Sequence, residues 1–96
     1  MANSFKDTVT IVNQLGLHAR AATKLAQLCM QFDAKIELQQ DGRSADASSV
    51  LALLMLASSK GKTVQICAEG DDGEQALHAV AALIRNGFDE EQPGLG

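Results

Sequence analysis

Hydrophobic and polar positions along the chain change period several times. Residues 8–12 (TVTIV) alternate, with Val9 and Ile11 on one face, which predicts a strand. After a turn at 13–16, the apolar period lengthens. Ala22, Leu25, Ala26, Cys29 and Phe32 form one stripe of a helix over 19–32, with Lys24, Gln27 and Gln31 opposite. Alternation returns at 34–39 (AKIELQ), and Asp41-Gly42 leads into residues 43–46 as a hairpin turn. The run 49–57 (SVLALLMLA) has no decisive period. Its Leu, Met and Ala favour a short helix, which Asp46, Ser48 or Ser49 can cap. Residues 63–68 (TVQICA) predict a strand with Val64 and Ile66 inward. A turn at 70–73 offers Asp71 or Asp72 as a cap for a last helix. That helix carries Ala76, Leu77, Val80, Leu83 and Ile84 on one stripe and ends at Asn86-Gly87. The order is βαββαβα. Amphipathic strands mean that helices cover one sheet face and solvent meets the other, an α+β two-layer domain.

Composition narrows the function. The chain has 96 residues, enough for a single domain over 1–96 with one modest core, and 46% of them are hydrophobic. Residues 89–96 (DEEQPGLG) suggest a flexible tail. Aromatics are 3%, without Trp or Tyr, and net charge is −4; both argue against a nucleic-acid partner. Residues 1–9 lack an apolar run of signal length, and the longest apolar run, 50–57, is too short to cross a bilayer. A cytoplasmic protein without a membrane partner is expected, with Cys29 and Cys67 as reduced core thiols.

One position breaks the pattern. In GLHARAAT, residues 16–23, strong helix formers follow His18, where Ser, Thr, Asp or Asn would ordinarily cap the helix. Neither His18 nor His78 has a carboxylate or thiol at ligand spacing, so no metal site is expected. His78 falls opposite its helix's apolar stripe and reads as a surface residue. No nucleophile elbow or phosphate-cradling glycine loop is present. What remains is the helix end itself. Its unpaired N–H groups and positive dipole favour an anion, and Arg20 adds a planar cationic fork. A phosphoryl group accepted by His18 would supply the missing cap, with no cofactor. Equally, His18 could be a turn residue and Arg20 a solvated cation.

GLHARAAT resembles the active-site motif of the histidine-containing phosphocarriers of the phosphotransferase system, the HPr family. The resemblance spans roughly residues 5–89. The segment ASSVLALLMLASSKG and the ending GFDEE are more similar to the nitrogen-related branch, NPr. The resemblance implies an open-faced β-sandwich, with a four-stranded antiparallel sheet and three helices. It implies that His18 takes the phosphoryl group on Nδ1, that Arg20 assists transfer, and that the Ala19 and Arg20 amides face the phosphate. It also implies that enzyme I is the donor and an enzyme IIA-type protein the acceptor. The alternative physiological role is regulatory docking governed by the phosphorylation state. The chain is expected to be a monomeric carrier, not an enzyme.

Two positions depart from the commonest pattern. Ala21 stands where most members have proline. Ser49 aligns with a serine that is phosphorylated by a dedicated kinase in some sugar-type members, but Ser48 precedes it where those members often carry a basic residue; a capping role for Ser49 is the simpler expectation. Some of Val50, Leu51, Leu54 and Met55 should remain exposed as a docking patch, because the run is more apolar than a helix lying on a sheet requires.

Overall fold

The computed structural model describes residues 4–90. Strand β1 (Ser4–Thr10) is followed by α1 (Ala19–Cys29), the hairpin β2 (Lys35–Gln40) and β3 (Arg43–Asp46), α2 (Val50–Leu56), β4 (Thr63–Glu69), α3 (Gly73–Arg85) and a closing 3-10 turn (Gly87–Asp89). The strands form one antiparallel sheet in the order β1-β4-β2-β3. β4 lies inside it, pairing Val9 with Val64 on one side and Leu38 with Ile66 on the other.

The alternation of β2 and β4 sends Ile36, Leu38, Val64, Ile66 and Ala68 to one face, where all are buried. There they meet the apolar stripes of α1 (Ala21, Ala22, Leu25, Ala26 and Cys29) and α3 (Ala76, Leu77, Val80, Ala81 and Ile84), with Leu53 and Leu56 of α2 completing the core. Each fully buried aliphatic side chain contributes about 1.5–3 kcal/mol, so this layer holds helices that are individually short. Burial, reinforced by the negative charge of Asp46, pushes the Cys29 thiol up to about 12 and keeps it protonated.

Several details depart from the sequence expectation. β1 begins at Ser4, because Phe5 continues the alternation and packs against the core. α1 ends at Cys29. Gln31 and Phe32 then donate to the Leu28 and Cys29 carbonyls in tighter turns, and Phe32 packs from outside the helix. Cys67 is not a core thiol. It lies half-buried on the other side of β4, between Lys6 and Glu37 in neighbouring strands. Asp72 takes the N-cap position of α3, but its Oδ2 accepts the Asp33 N–H at 2.7 Å and ties two loops together. Val50 packs against the core and does not join the exposed patch. Asp89 and Glu90 are held by a defined turn, contrary to a flexible tail starting at 89; residues 91–96 of that tail lie outside the described residues.

Candidate functional site

The loop joining β1 to α1 is fixed by buried groups. The Ile11 N–H donates to the Lys62 carbonyl, and the Gly61 N–H returns to that of Ile11. Asn13, buried, accepts the Gly16 N–H at its own carbonyl and donates from Nδ2 to the Gly16 carbonyl at 2.7 Å. Gly16 adopts φ +64, and a Cβ there would sit 2.6 Å from the Ser58 carbonyl oxygen, so glycine is required twice over. Leu17 is buried next to it and donates its N–H to Ser58 at 2.9 Å. These contacts leave the following residue little freedom.

That residue, His18, occupies the N-cap of α1 with extended backbone (φ −83, ψ −179). Its carbonyl accepts the first helical bond, from Ala22 N–H at 2.8 Å. The amides of Ala19, Arg20 and Ala21 therefore precede the first intrahelical donor. Among the described residues no side chain caps them, and the first turn holds no acidic group. Arg20 is exposed on that turn. The His18 ring is half-buried, and its Nε2 lies 2.9 Å from the Glu90 Oε2. The other oxygen of Glu90 accepts Asn13 Nδ2 at 2.7 Å. Partial burial opposes ionisation of Glu90. The hydrogen bonds from His18 and Asn13 and the positive charge of Arg20 outweigh it and hold the carboxyl below its ordinary value. Glu90 is thus ionised near neutral pH.

Glu90 reaches this place through an unusual chain path. α3 ends at Arg85 with Asn86 as its C-cap, and Gly87, Phe88 and Asp89 all take positive φ (65, 58 and 59). Left-handed backbone costs a non-glycine residue about 1–3 kcal/mol. Phe88 offsets it by complete burial, and its carbonyl accepts Lys24 Nζ at 2.9 Å. Beside the pair lies an open cleft of about 860 Å³, bordered by Arg20, Lys24, Lys60 and Arg85 as well as Asn13 and Glu90. Four cations thus line one cleft of a chain whose net charge is −4.

A family profile described as the PTS HPr component phosphorylation site matches residues 5–86. The chain belongs to the HPr family. It is a phosphocarrier of the phosphotransferase system, and not a catalytic enzyme. Phosphocarrier protein NPr of Escherichia coli is 52% identical over 87 residues, covering 90% of this chain and 97% of that protein. NPr of Shewanella violacea is 54% identical over 82 residues, covering 85% and 90%. Both agree with the NPr-like character of ASSVLALLMLASSKG and GFDEE. The crystal structure of HPr-C-His from Thermoanaerobacter tengcongensis superposes with a TM-score of 0.87 at 36% identity, covering 92% of this chain and 99% of that one. The open-faced sandwich expected for HPr proteins is the fold observed.

His18, Ala19 and Arg20 come together at one helix end. Ser49 sits apart as the N-cap of α2, its Oγ accepting the Ala52 N–H at 3.1 Å. Leu51, Leu54 and Met55 project from α2 into solvent. The turn after α2 supplies the Ser58 carbonyl that accepts the Leu17 N–H, which ties the end of α2 to the residue before His18. His78 is exposed on α3, as its place on the helical wheel implies. Sequence reasoning missed Asn13 and Glu90. Glu90 stands 72 positions from His18, and no local pattern links them.

Proposed function

We propose that His18 is the phosphoryl acceptor of this phosphocarrier, taking the group on Nδ1 from phosphorylated enzyme I and passing it to an enzyme IIA-type protein in the cytoplasm. The observation that carries this is the open N-terminus of α1: His18 at the cap position, three first-turn amides without intrahelical acceptors, and Arg20 beside them. A phosphoryl group on Nδ1 would satisfy those donors and meet the positive end of the helix. Arg20 would offset its charge through paired N–H donors. No metal is needed, because the dipoles are in place before the group arrives. The exposed side chains of Leu51, Leu54 and Met55 suit contact with both partners, and also suit the regulatory docking role in which the phosphorylation state is the signal.

Incubation with phosphoenolpyruvate and enzyme I tests the assignment. The parent should acquire one acid-labile phosphoryl group. His18→Ala should abolish labelling, and His78→Ala should leave it intact. Undiminished labelling of His18→Ala overturns the proposal.

A further inference from the structure

We infer that Glu90 is a positioning residue for His18, fixing the ring proton on Nε2 so that Nδ1 is the nitrogen with a free electron pair. This rests on His18 being the phosphoryl acceptor and deepens that assignment. An ionised carboxylate can only accept a hydrogen bond. At 2.9 Å from Glu90 Oε2, His18 Nε2 must therefore be the donor, and the neutral ring must leave Nδ1 unprotonated. The opposite tautomer would set a nitrogen lone pair against a carboxylate.

The carboxylate is held as firmly as the ring. Its Oε1 accepts Asn13 Nδ2, whose second hydrogen goes to the Gly16 carbonyl. Rotating the Asn13 amide would point Oδ1 at both acceptors, so its orientation is determined. The backbone before Glu90 is anchored by buried Phe88 and by Lys24. Buried anchors on both sides of the ring thus converge on one proton.

The placement matters during transfer. The Nδ1 pair attacks the phosphorus of the phosphorylated donor, forming an N–P bond as the donor's own bond to phosphorus breaks. The donor group leaves with that electron pair. The proton stays on Nε2, so the phosphorylated ring is cationic, and the Glu90 carboxylate lies against that positive charge. In onward transfer the same retained proton lets His18 leave as neutral imidazole. A carboxylate that orients and steadies an imidazole through its far nitrogen is the logic of the Ser-His-Asp triad, here in a half-exposed site.

Glu90→Gln provides a test that a merely structural contact would fail. Asn13 Nδ2 demands an acceptor, so the amide oxygen of the new side chain must face Asn13. Its NH2 then faces His18 Nε2, which must accept, and the ring proton moves to Nδ1. The conservative variant should therefore be worse than truncation. Nitrogen-15 spectra of the full chain should show His18 as the Nε2–H tautomer in the parent and chiefly as the Nδ1–H tautomer in Glu90→Gln. Single-turnover transfer from phosphorylated enzyme I should fall about tenfold or more in Glu90→Gln, and less in Glu90→Ala. The inference is overturned if Glu90→Gln keeps the Nε2–H tautomer, if it transfers within about twofold of the parent, or if Glu90→Ala is the slower of the two. His18→Ala, run alongside, separates the two levels. Labelling that persists there removes the acceptor assignment itself. Labelling lost there, with Glu90→Gln at the parent rate, removes only the role of Glu90.

Discussion

At the start of α2, Ser49 Oγ accepts the Ala52 N–H at 3.1 Å; at the start of α1, the same structural position holds His18, and among the described residues no side chain accepts a first-turn amide. A cap of the Ser49 kind is worth about 1 kcal/mol. α1 forgoes it and also carries Arg20 next to the positive end of its dipole, which is unfavourable until an anion arrives. The longer helix can tolerate this, because its stripe from Ala21 to Cys29 is buried in the core. α2 has only Leu53 and Leu56 buried, and it keeps its cap. One helix end is closed for stability. The other is left open for a ligand, and tertiary packing holds it in place.

Exchanging the roles of these two ends would break the comparison. The largest effect is expected on α1. Arg20→Lys keeps the charge but loses the planar fork, so phosphoryl transfer should slow. Arg20→Ala should slow it further, by about tenfold or more, the equivalent of one charge-assisted hydrogen bond. Stability should change by less than about 0.5 kcal/mol in both, since Arg20 is exposed. Quench-flow transfer assays and urea unfolding check both halves, and parent-like transfer in both variants would reduce Arg20 to a surface cation.

Ser49→Ala should do the reverse. It should cost about 1 kcal/mol and lower the melting temperature by a few degrees, while transfer well below the melt stays near the parent rate. A loss of transfer without a loss of stability would mean that Ser49 acts on partners and not as a cap.

The smallest effect concerns pH. The folded-state pKa of Glu90 is lowered, so its contribution to stability is fully present above the ordinary carboxylate range. It is lost as pH falls through the lowered value. Glu90→Gln should lower stability slightly in the neutral region and converge on the parent in acid, so that the acid limb of its stability curve is flatter. An identical acid limb in parent and variant would show that the His18–Glu90 contact contributes nothing to folding.

Much of the fold could be read from local pattern. The alternation of TVTIV and TVQICA and the Asp41-Gly42 turn depend on residues close in sequence, and each element formed. Ends were less legible. α1 could not be seen to stop at Cys29, because Met30 to Phe32 are compatible with helix; there the chain passes into tighter turns and Phe32 packs against the core. Cys67 was misplaced because a thiol reads as apolar, although the alternation of β4 already sends it away from Val64 and Ile66. At the site, His18 stood out because it occupies a position where another chemistry is usual. Asn13 and Glu90 did not, because a turn asparagine and a glutamate after the last helix are ordinary residues until the fold brings them to one ring.

The three left-handed residues after α3 give the C-terminal turn a second meaning. Glu90 faces His18 only while Phe88 stays seated, so the histidine's environment reports a local equilibrium. Openings of such segments cost less than global unfolding. Each opening of this turn would release the Phe88 side chain, the Lys24 contact and the His18 proton acceptor together. The amide protons of Asp89 and Glu90, bonded to the Asn86 and Gly87 carbonyls, should therefore exchange with solvent in proportion to the fraction of time the phosphoryl site is dismantled, a gauge written into the backbone of a protein that otherwise remains folded.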